Sequence, residues 1–243
     1  MELKNSLGKI IFTDLSTYSP KESMDFYKFV FEWKYYNDDD YFMAFLDNRK
    51  VSGLYETPLK FKQIGMPHFW MTYIQVDNLD LTVEKAREMG GIIELVEKEN
   101  PFGPIALIRD PQGAGFTVYA GNQLDSRTAN SAGTLIWNEL HVSNVGNIKP
   151  FYESIFEWKF KEGLNRQYNV YTKGNEHVAD VLEISIAEKG KYEYWVSTFG
   201  VKDLNHTHKK ILKMKGQLIS VEGSRRMYSD HSGQAFFYIQ EVE

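Results

Sequence analysis

Apolar and polar positions alternate from Lys9 to Ser16, which predicts a strand. Ile11, Thr13 and Leu15 share one face of it, and Ile10, Phe12, Asp14 and Ser16 the other. The period then changes. Ser19-Pro20-Lys21-Glu22 reads as a capping box with proline at the first helical position, and Met24, Tyr27, Val30 and Phe31 recur at helical spacing. Strand patterns follow from Tyr41 to Leu46, from Lys50 to Tyr55 and from Phe69 to Val76. A second helix is expected from about Leu79 to Met89, with Leu79, Val83 and Ala86 inward and Gly90-Gly91 as its stop. Strands from Pro104 to Ile108 and from Gly115 to Ala120 flank the turn Asp110-Pro111-Gln112-Gly113. The small, polar stretch from Gly121 to Gly133 has no period and reads as a linker.

The same pattern then runs again. Phe26-Tyr27-Lys28-Phe29-Val30-Phe31-Glu32-Trp33-Lys34 returns as Phe151-Tyr152-Glu153-Ser154-Ile155-Phe156-Glu157-Trp158-Lys159, with six of nine residues identical at an offset of 125. Gly8 answers to Gly133, Leu15 to Leu140, Trp70 to Trp195, Val76 to Val201, Leu79 to Leu204 and Met89 to Met214. Asp110 and Gly113 answer to Asp230 and Gly233, an offset of 120 that implies a five-residue deletion. So long a period exceeds any solenoid unit and means two homologous domains. They are expected at residues 1–121 and 134–243, joined by 122–133. Each would be α+β, made of two β-α-β-β-β units.

Composition narrows the chemistry. The 243 residues are 42% hydrophobic and 15% aromatic, which suits globular domains. A net charge of -5 with no basic block argues against nucleic acid as a partner. The absence of cysteine removes disulfides, thiolate metal sites and thiol catalysis. No apolar run approaches the length of a spanning helix, and Met1-Glu2-Leu3-Lys4 opens no signal sequence, so a cytoplasmic protein without membrane partners is expected, as monomer or homodimer.

This layout resembles the vicinal oxygen chelate superfamily, which groups glyoxalase I, extradiol dioxygenases and bleomycin-resistance proteins, and within it the tandem glyoxalase-like proteins. The resemblance rests on Phe12-Thr13-Asp14-Leu15 leading to Phe26-Tyr27 and Phe31-Glu32-Trp33, on Trp137-Asn138-Glu139-Leu140 leading to Phe151-Tyr152 and Phe156-Glu157-Trp158, on Trp70-x-x-Tyr73-x-x-Val76, and on Asp110-Pro111-Gln112-Gly113-Ala114. The family pattern has glycine where Glu32 and Glu157 stand. The resemblance implies that each domain's mixed sheet curls into a cup with its helices outside. It also implies four ligand positions per cup for a divalent metal. In the first domain these fall on Phe12, near Gly53, near Met71 and on Thr117; in the second on Trp137, near Asp180, near Val196 and on Phe237. Only Asp180 among them is a plausible ligand, so neither cup is expected to hold the usual metal.

Aromatic walls with a few polar groups suit an organic ligand, although a filled core reads equally well. Phe12, Trp70, Tyr73, Thr117, Tyr119, Trp137 and Trp195 are the candidate lining residues, with Asp14, Glu139 and His141 as polar contacts. Asp14 and Glu139 occupy matched positions, and a covered carboxylate needs a partner or a ligand. The expected function is metal-independent binding of a small organic molecule, with no cofactor. Two alternatives stand beside it: a lyase, isomerase or dioxygenase with one divalent metal on Glu139, His141 and Asp180 in the second domain, and a protein-interaction scaffold with filled cups. His206 and His208 diverge on their helix and read as a solvated face; His68, His177 and His231 show no partner in the sequence. Asp38-Asp39-Asp40 reads as a solvated hairpin and not as a calcium loop.

Overall fold

The computed structural model describes residues 6–124, 127 and 131–243; the middle of the expected linker, residues 125, 126 and 128–130, lies outside the described residues. The first half runs β1 (Ile10–Thr17), α1 (Pro20–Phe31), β2 (Lys34–Asp38), β3 (Tyr41–Leu46), β4 (Arg49–Glu56), the short α2 (Leu59–Gln63), β5 (Phe69–Gln75), α3 (Leu79–Glu88), β6 (Ile92–Glu97), β7 (Ile105–Arg109) and β8 (Gly115–Tyr119). The second half repeats it as β9 (Leu135–Val142), α4 (Val145–Phe156), β10 (Lys159–Glu162), β11 (Gln167–Tyr171), β12 (His177–Glu183), α5 (Ile186–Lys189), β13 (Tyr194–Val201), α6 (Leu204–Lys213), β14 (Gln217–Glu222), β15 (Arg225–Ser229) and β16 (Phe236–Glu241). Each half contributes an eight-stranded mixed sheet, ordered β2-β3-β4-β1-β5-β8-β7-β6 and β10-β11-β12-β9-β13-β16-β15-β14. The pairs β1–β4, β5–β8, β9–β12 and β13–β16 are parallel and the hairpins antiparallel.

The edge strands β2 and β6 escape the sequence pattern because most of their side chains are not buried, and without a covered face alternation is not enforced. The acidic run ends β2 and turns into β3, as expected of a hairpin. Two helix starts carry the side-chain cap their sequence calls for. Asn78 accepts from the Leu81 N–H at 3.0 Å and Asp203 from the His206 N–H at 2.8 Å. The capping box expected at Ser19 does not form: the Ser19 side chain makes no cap bond, and its own N–H is drawn to Thr17 Oγ1 at 3.2 Å. A capping box forms instead at Ser185 and Glu188, at the start of α5.

By backbone proximity the chain divides into two compact units. Unit 1 holds the described residues up to Ile11, Thr72–Leu124 and Asn138–Trp195; unit 2 holds Phe12–Met71, the described residues up to Trp137, and Val196–Glu243. Each unit is centred on one copy of the repeated aromatic motif. In unit 2, Tyr27 stacks on Phe31 and Trp33, and its edge meets Trp70 at 5.1 Å and Phe237 at 5.9 Å. In unit 1, Tyr152 stacks on Phe156 and Trp158, with Trp195 at 6.2 Å and Phe116 at 5.6 Å. The two indoles also bind backbone: Trp33 Nε1 donates to Gly133 O at 2.7 Å and Trp158 Nε1 to Gly8 O at 2.9 Å. Edge-to-face rings and a satisfied indole make each nest directional as well as apolar.

The repeated aspartates close the nests. Asp110 Oδ1 accepts from the N–H groups of Gln112, Gly113 and Ala114, and Oδ2 accepts from the Tyr152 hydroxyl at 3.2 Å. Asp230 accepts from Ser232 and from the Tyr27 hydroxyl at 3.4 Å. Burial pushes the Asp110 carboxyl up to about 6, against the lowering pull of its three backbone donors. Asp230 N bonds Ala235 O where Asp110 N bonds Ala114 O, so the second turn is one residue longer. The offset is therefore 121 beyond it. The counterpart of Thr117 is Tyr238, not Phe237: Tyr73 pairs with Thr117, and Thr198 with Tyr238. A one-residue slip moves a side chain to the other face, and Phe237 lies in the nest, corresponding to Phe116.

Two outcomes follow for stability. Glu32 and Glu157 end their helices in the left-handed region, at φ 64° and 55°, where glycine is unstrained. Glu32→Gly and Glu157→Gly are each expected to stabilise by about 0.5–1 kcal/mol in urea unfolding. Asp110 binds its proton more tightly folded than unfolded, so its contribution to stability declines as pH rises through the window from 3.8 to about 6. Asp110→Asn, which keeps the acceptor for the three N–H groups, should gain on the wild type by on the order of 2–3 kcal/mol between the acid and neutral ends of that window. An unchanged difference across it would remove the buried carboxyl from this account.

Candidate functional site

In the first half, Asp14 leaves β1 on the face opposite Thr13 and Leu15 and is fully buried. The Tyr41 hydroxyl donates to Asp14 Oδ2 at 3.0 Å. Room for it comes from Gly53, which pairs with Asp14 across β1 and β4; a Cβ on Gly53 would lie 1.7 Å from the Tyr41 oxygen. Tyr55 stands on the same face, and burial, then the charge of Asp14, pushes its phenol well above the usual range. Ser16 Oγ bonds Thr57 Oγ1 at 2.9 Å. The first-half carboxylate thus lies against tyrosines of its own chain.

In the second half the matched strand carries a different set. Glu139 and His141 leave β9 on one face, and His141 Nε2 lies 2.6 Å from Glu139 Oε1. Asp180 of β12 pairs in register with Glu139, as Gly53 does with Asp14, and His177 Nε2 lies 2.9 Å from Asp180 Oδ1. His177 reaches that carboxylate because a register shift between Val170 and Tyr171 leaves an additional residue on β12. Tyr171 stacks on His177 at 4.9 Å, and the Tyr194 ring lies 5.2 Å from His141. Side-chain exposure falls along this line: 37% for His177, 11% for Asp180, 3% for His141 and 1% for Glu139. Two carboxylate–imidazole pairs therefore run from the solvent into the interior of unit 1. Each sets an imidazole nitrogen within hydrogen-bond distance of a carboxylate oxygen, the geometry of a proton-handling pair.

The other candidates lie apart from these clusters. Trp70 and Trp195 are buried in the aromatic nests of their units, against Tyr27 and Tyr152, and serve packing. Tyr73 and Thr117 face each other across β5 and β8. Tyr119 ties down loops: its hydroxyl donates to Phe102 O at 2.6 Å and accepts from the Gln123 N–H at 2.8 Å. Phe12 is buried on the Asp14 face. Trp137 is half-buried with the Arg127 guanidinium 4.8 Å above its ring. His208 is not merely solvated, since its Nδ1 bonds the Tyr228 hydroxyl at 2.8 Å. Tyr41, Tyr55, His177, Tyr171 and Tyr194 belong to the clusters and were absent from the sequence candidates. Their faces are set by register and bulges, which composition does not reveal.

The donor chemistry at the expected metal positions does not suit a divalent cation. Phe12, Gly53 and Met71 offer no hard donor and Thr117 only a hydroxyl; Trp137 and Val196 offer none and Tyr238 only a phenol, which leaves Asp180. Among the described residues no group of three His, Asp or Glu side chains is arranged to hold a metal, so Glu139, His141 and Asp180 do not assemble as a triad.

Residues 9–118 match the profile of the Glyoxalase/Bleomycin resistance protein/Dioxygenase superfamily. A protein of Mycobacterium bovis named "Putative glyoxylase CFP32" is 29% identical over 220 residues, which span 85% of this chain and 82% of that protein. Its namesake in Mycobacterium tuberculosis matches equally. Among solved structures, the Mn(II)-bound glyoxalase from Novosphingobium aromaticivorans superposes with a TM-score of 0.64 at 12% identity, over 98% of this chain and 83% of that one. The 2,3-dioxygenase LapB from Pseudomonas sp. KL28 gives 0.66 at 11% identity, over 97% and 93%. At such identities the likeness is one of fold.

Gly53→Ala is expected to break the first-half cluster alone. Its methyl must displace the Tyr41 hydroxyl and strand a buried carboxylate, at a cost of about 1–3 kcal/mol. Tyr41→Phe should cost a similar amount, and in the double variant the two losses should fall well short of adding, because both remove the same bond. Full additivity in urea titrations would show that Gly53 and Tyr41 act independently.

Proposed function

Because residues 9–118 match the Glyoxalase/Bleomycin resistance protein/Dioxygenase superfamily, we propose that the chain binds a small organic molecule at the second-half face formed by Glu139, His141, Asp180 and His177, without a resident metal. The observation that carries this reading is the contrast between matched positions. Asp14 is engaged by the chain's own Tyr41, in the space left by Gly53, whereas at the same place beside Glu139 stands Asp180, whose partner His177 is the most exposed of the set. A buried carboxylate next to an imidazole favours ligands that donate hydrogen bonds or carry positive charge, and Tyr171 and Tyr194 offer aromatic surface beside it. The alternative is a metal-dependent lyase, isomerase or dioxygenase that uses Glu139, His141 and Asp180. The manganese-bound glyoxalase and the dioxygenase among the structural relatives favour it; the donor set and the absence of an assembled triad among the described residues weigh against it.

Metal content and binding separate the two. Protein purified without chelator is expected to contain far less than stoichiometric Fe, Mn, Ni or Zn. In a thermal-shift screen of small amines, phenols and diols, compounds that stabilise the wild type should bind Glu139→Gln at least about tenfold more weakly, as expected for loss of a charge-assisted hydrogen bond. Stoichiometric metal that disappears in Glu139→Ala would replace the binding reading with the enzyme reading.

A further inference from the structure

Unit 2 contains a hydrogen-bonded chain with a histidine at each end. His68 Nδ1 lies 3.0 Å from Thr17 Oγ1, Thr17 Oγ1 lies 2.8 Å from Ser23 Oγ, and Ser23 Oγ lies 3.0 Å from His231 Nε2. It joins the end of β1, the first turn of α1, the approach to β5 and the turn between β15 and β16. Thr17 and Ser23 are wholly buried and His68 nearly so. The fold does not require any of this. At the matched positions of unit 1 stand Val142, Ile148 and Pro111, the first two fully buried. Glu193 replaces His68 and turns instead to Ser143 and Lys189. Apolar packing holds that place in one unit, and a polar chain holds it in the other.

A count of hydrogens gives the chain a property that no single bond has. Three links need three hydrogens, and the two hydroxyls supply two. One ring nitrogen must therefore donate while the other stays bare. The surroundings choose which. Asp230 Oδ2 lies 3.9 Å from His231 Nε2, and the His231 side chain is partly exposed, so a hydrogen on Nε2 has a carboxylate beside it. His68 is pressed below its ordinary range by burial first, with His231 and Lys62 adding to it and Asp230 opposing. The Tyr18 ring covers His68 at 4.9 Å, and Gln234 Oε1 accepts from the His68 backbone N–H at 3.1 Å. On α1, Lys21, Glu22 and Asp25 are exposed to solvent. The hydrogens then run in one direction: His231 donates to Ser23, Ser23 to Thr17, and Thr17 to the bare Nδ1 of His68. A proton on His231 Nδ1 leaves every link intact. A proton on His68 Nδ1, while His231 Nε2 still donates, brings four hydrogens to three links and leaves one hydroxyl without its acceptor.

We propose that this chain is an acid-sensitive latch within unit 2, closed while His68 is neutral and opened when His68 is protonated. The sign follows from linkage. His68 binds its proton less tightly folded than unfolded, so the stability it contributes is complete above the unfolded value of 6.5 and is lost as pH falls below it.

Two isosteric variants test the latch. His68→Asn places an oxygen where Nδ1 accepts and cannot titrate; His231→Gln places an N–H where Nε2 donates. From about pH 7.5 to about pH 5.5, spanning the imidazole range, the melting temperature of the wild type and of His231→Gln should fall by about 2–4 °C more than that of His68→Asn. Asp110 acts in the opposite sense but is common to all three proteins and cancels. The same acid loss in His68→Asn would overturn the proposal. Imidazole nitrogen shifts of the wild type give a second reading that needs no variant: His68 should titrate below the ordinary imidazole range, with Nδ1 bare at neutral pH. A His68 that titrates above that range, or carries its neutral proton on Nδ1, would equally overturn it.

Discussion

Each unit depends on a tryptophan whose ring is committed on all sides. Trp33 and Trp158 follow a helix that ends in a left-handed residue, and that reversal swings the indole back under the helix. There the face stacks on the tyrosine one turn and more upstream, and the N–H reaches a glycine carbonyl 100 or 150 residues distant, Gly133 or Gly8. Without that carbonyl the indole would be a buried donor with no acceptor, and without the stacked ring the carbonyl would face only apolar surface. The tyrosine in turn donates to an aspartate that organises a turn in the opposite half of the sequence. Helix, indole, phenol and carboxylate therefore lock together, and removing any one leaves a buried polar group unpaired.

On this frame the two sheets diverge through few changes. Where β4 carries Gly53, β12 carries Asp180, each beside the first-strand carboxylate of its half. Glycine admits the Tyr41 phenol and closes the Asp14 cluster; aspartate excludes such an arrangement and recruits His177. Ser16 and His141 differ in the same way, one bonding the neighbouring Thr57 and the other its own Glu139. A duplicated fold keeps its packing residues because each one is held from several directions. The chain from His68 to His231 extends the divergence to the helix side, where buried hydroxyls in one unit answer to valine and isoleucine in the other.

The sequence by itself determined the duplication, the α+β class, the order of most strands and helices, and the aromatic motif as a core anchor. These are legible because period, turn residues and repeated spacing are local properties, and burying a core imposes them on both halves alike. It also set Asp14 with Phe12 and Glu139 with His141 on one strand face, since alternation alone decides which residues of a strand share a side. What only the tertiary structure decided was partnership. Tyr41 reaches Asp14 because a glycine on the strand between them leaves room; His177 reaches Asp180 because of a bulge; Trp70 and Trp195 turn to the nests because their strand parity sets them there. The counterpart of Thr117 moved from Phe237 to Tyr238 because one added residue in a turn reverses every face that follows it. Register, bulges and hydrogen-bond partners are relations between distant segments, fixed by closure of the sheet and burial of the nests, and no local pattern encodes them.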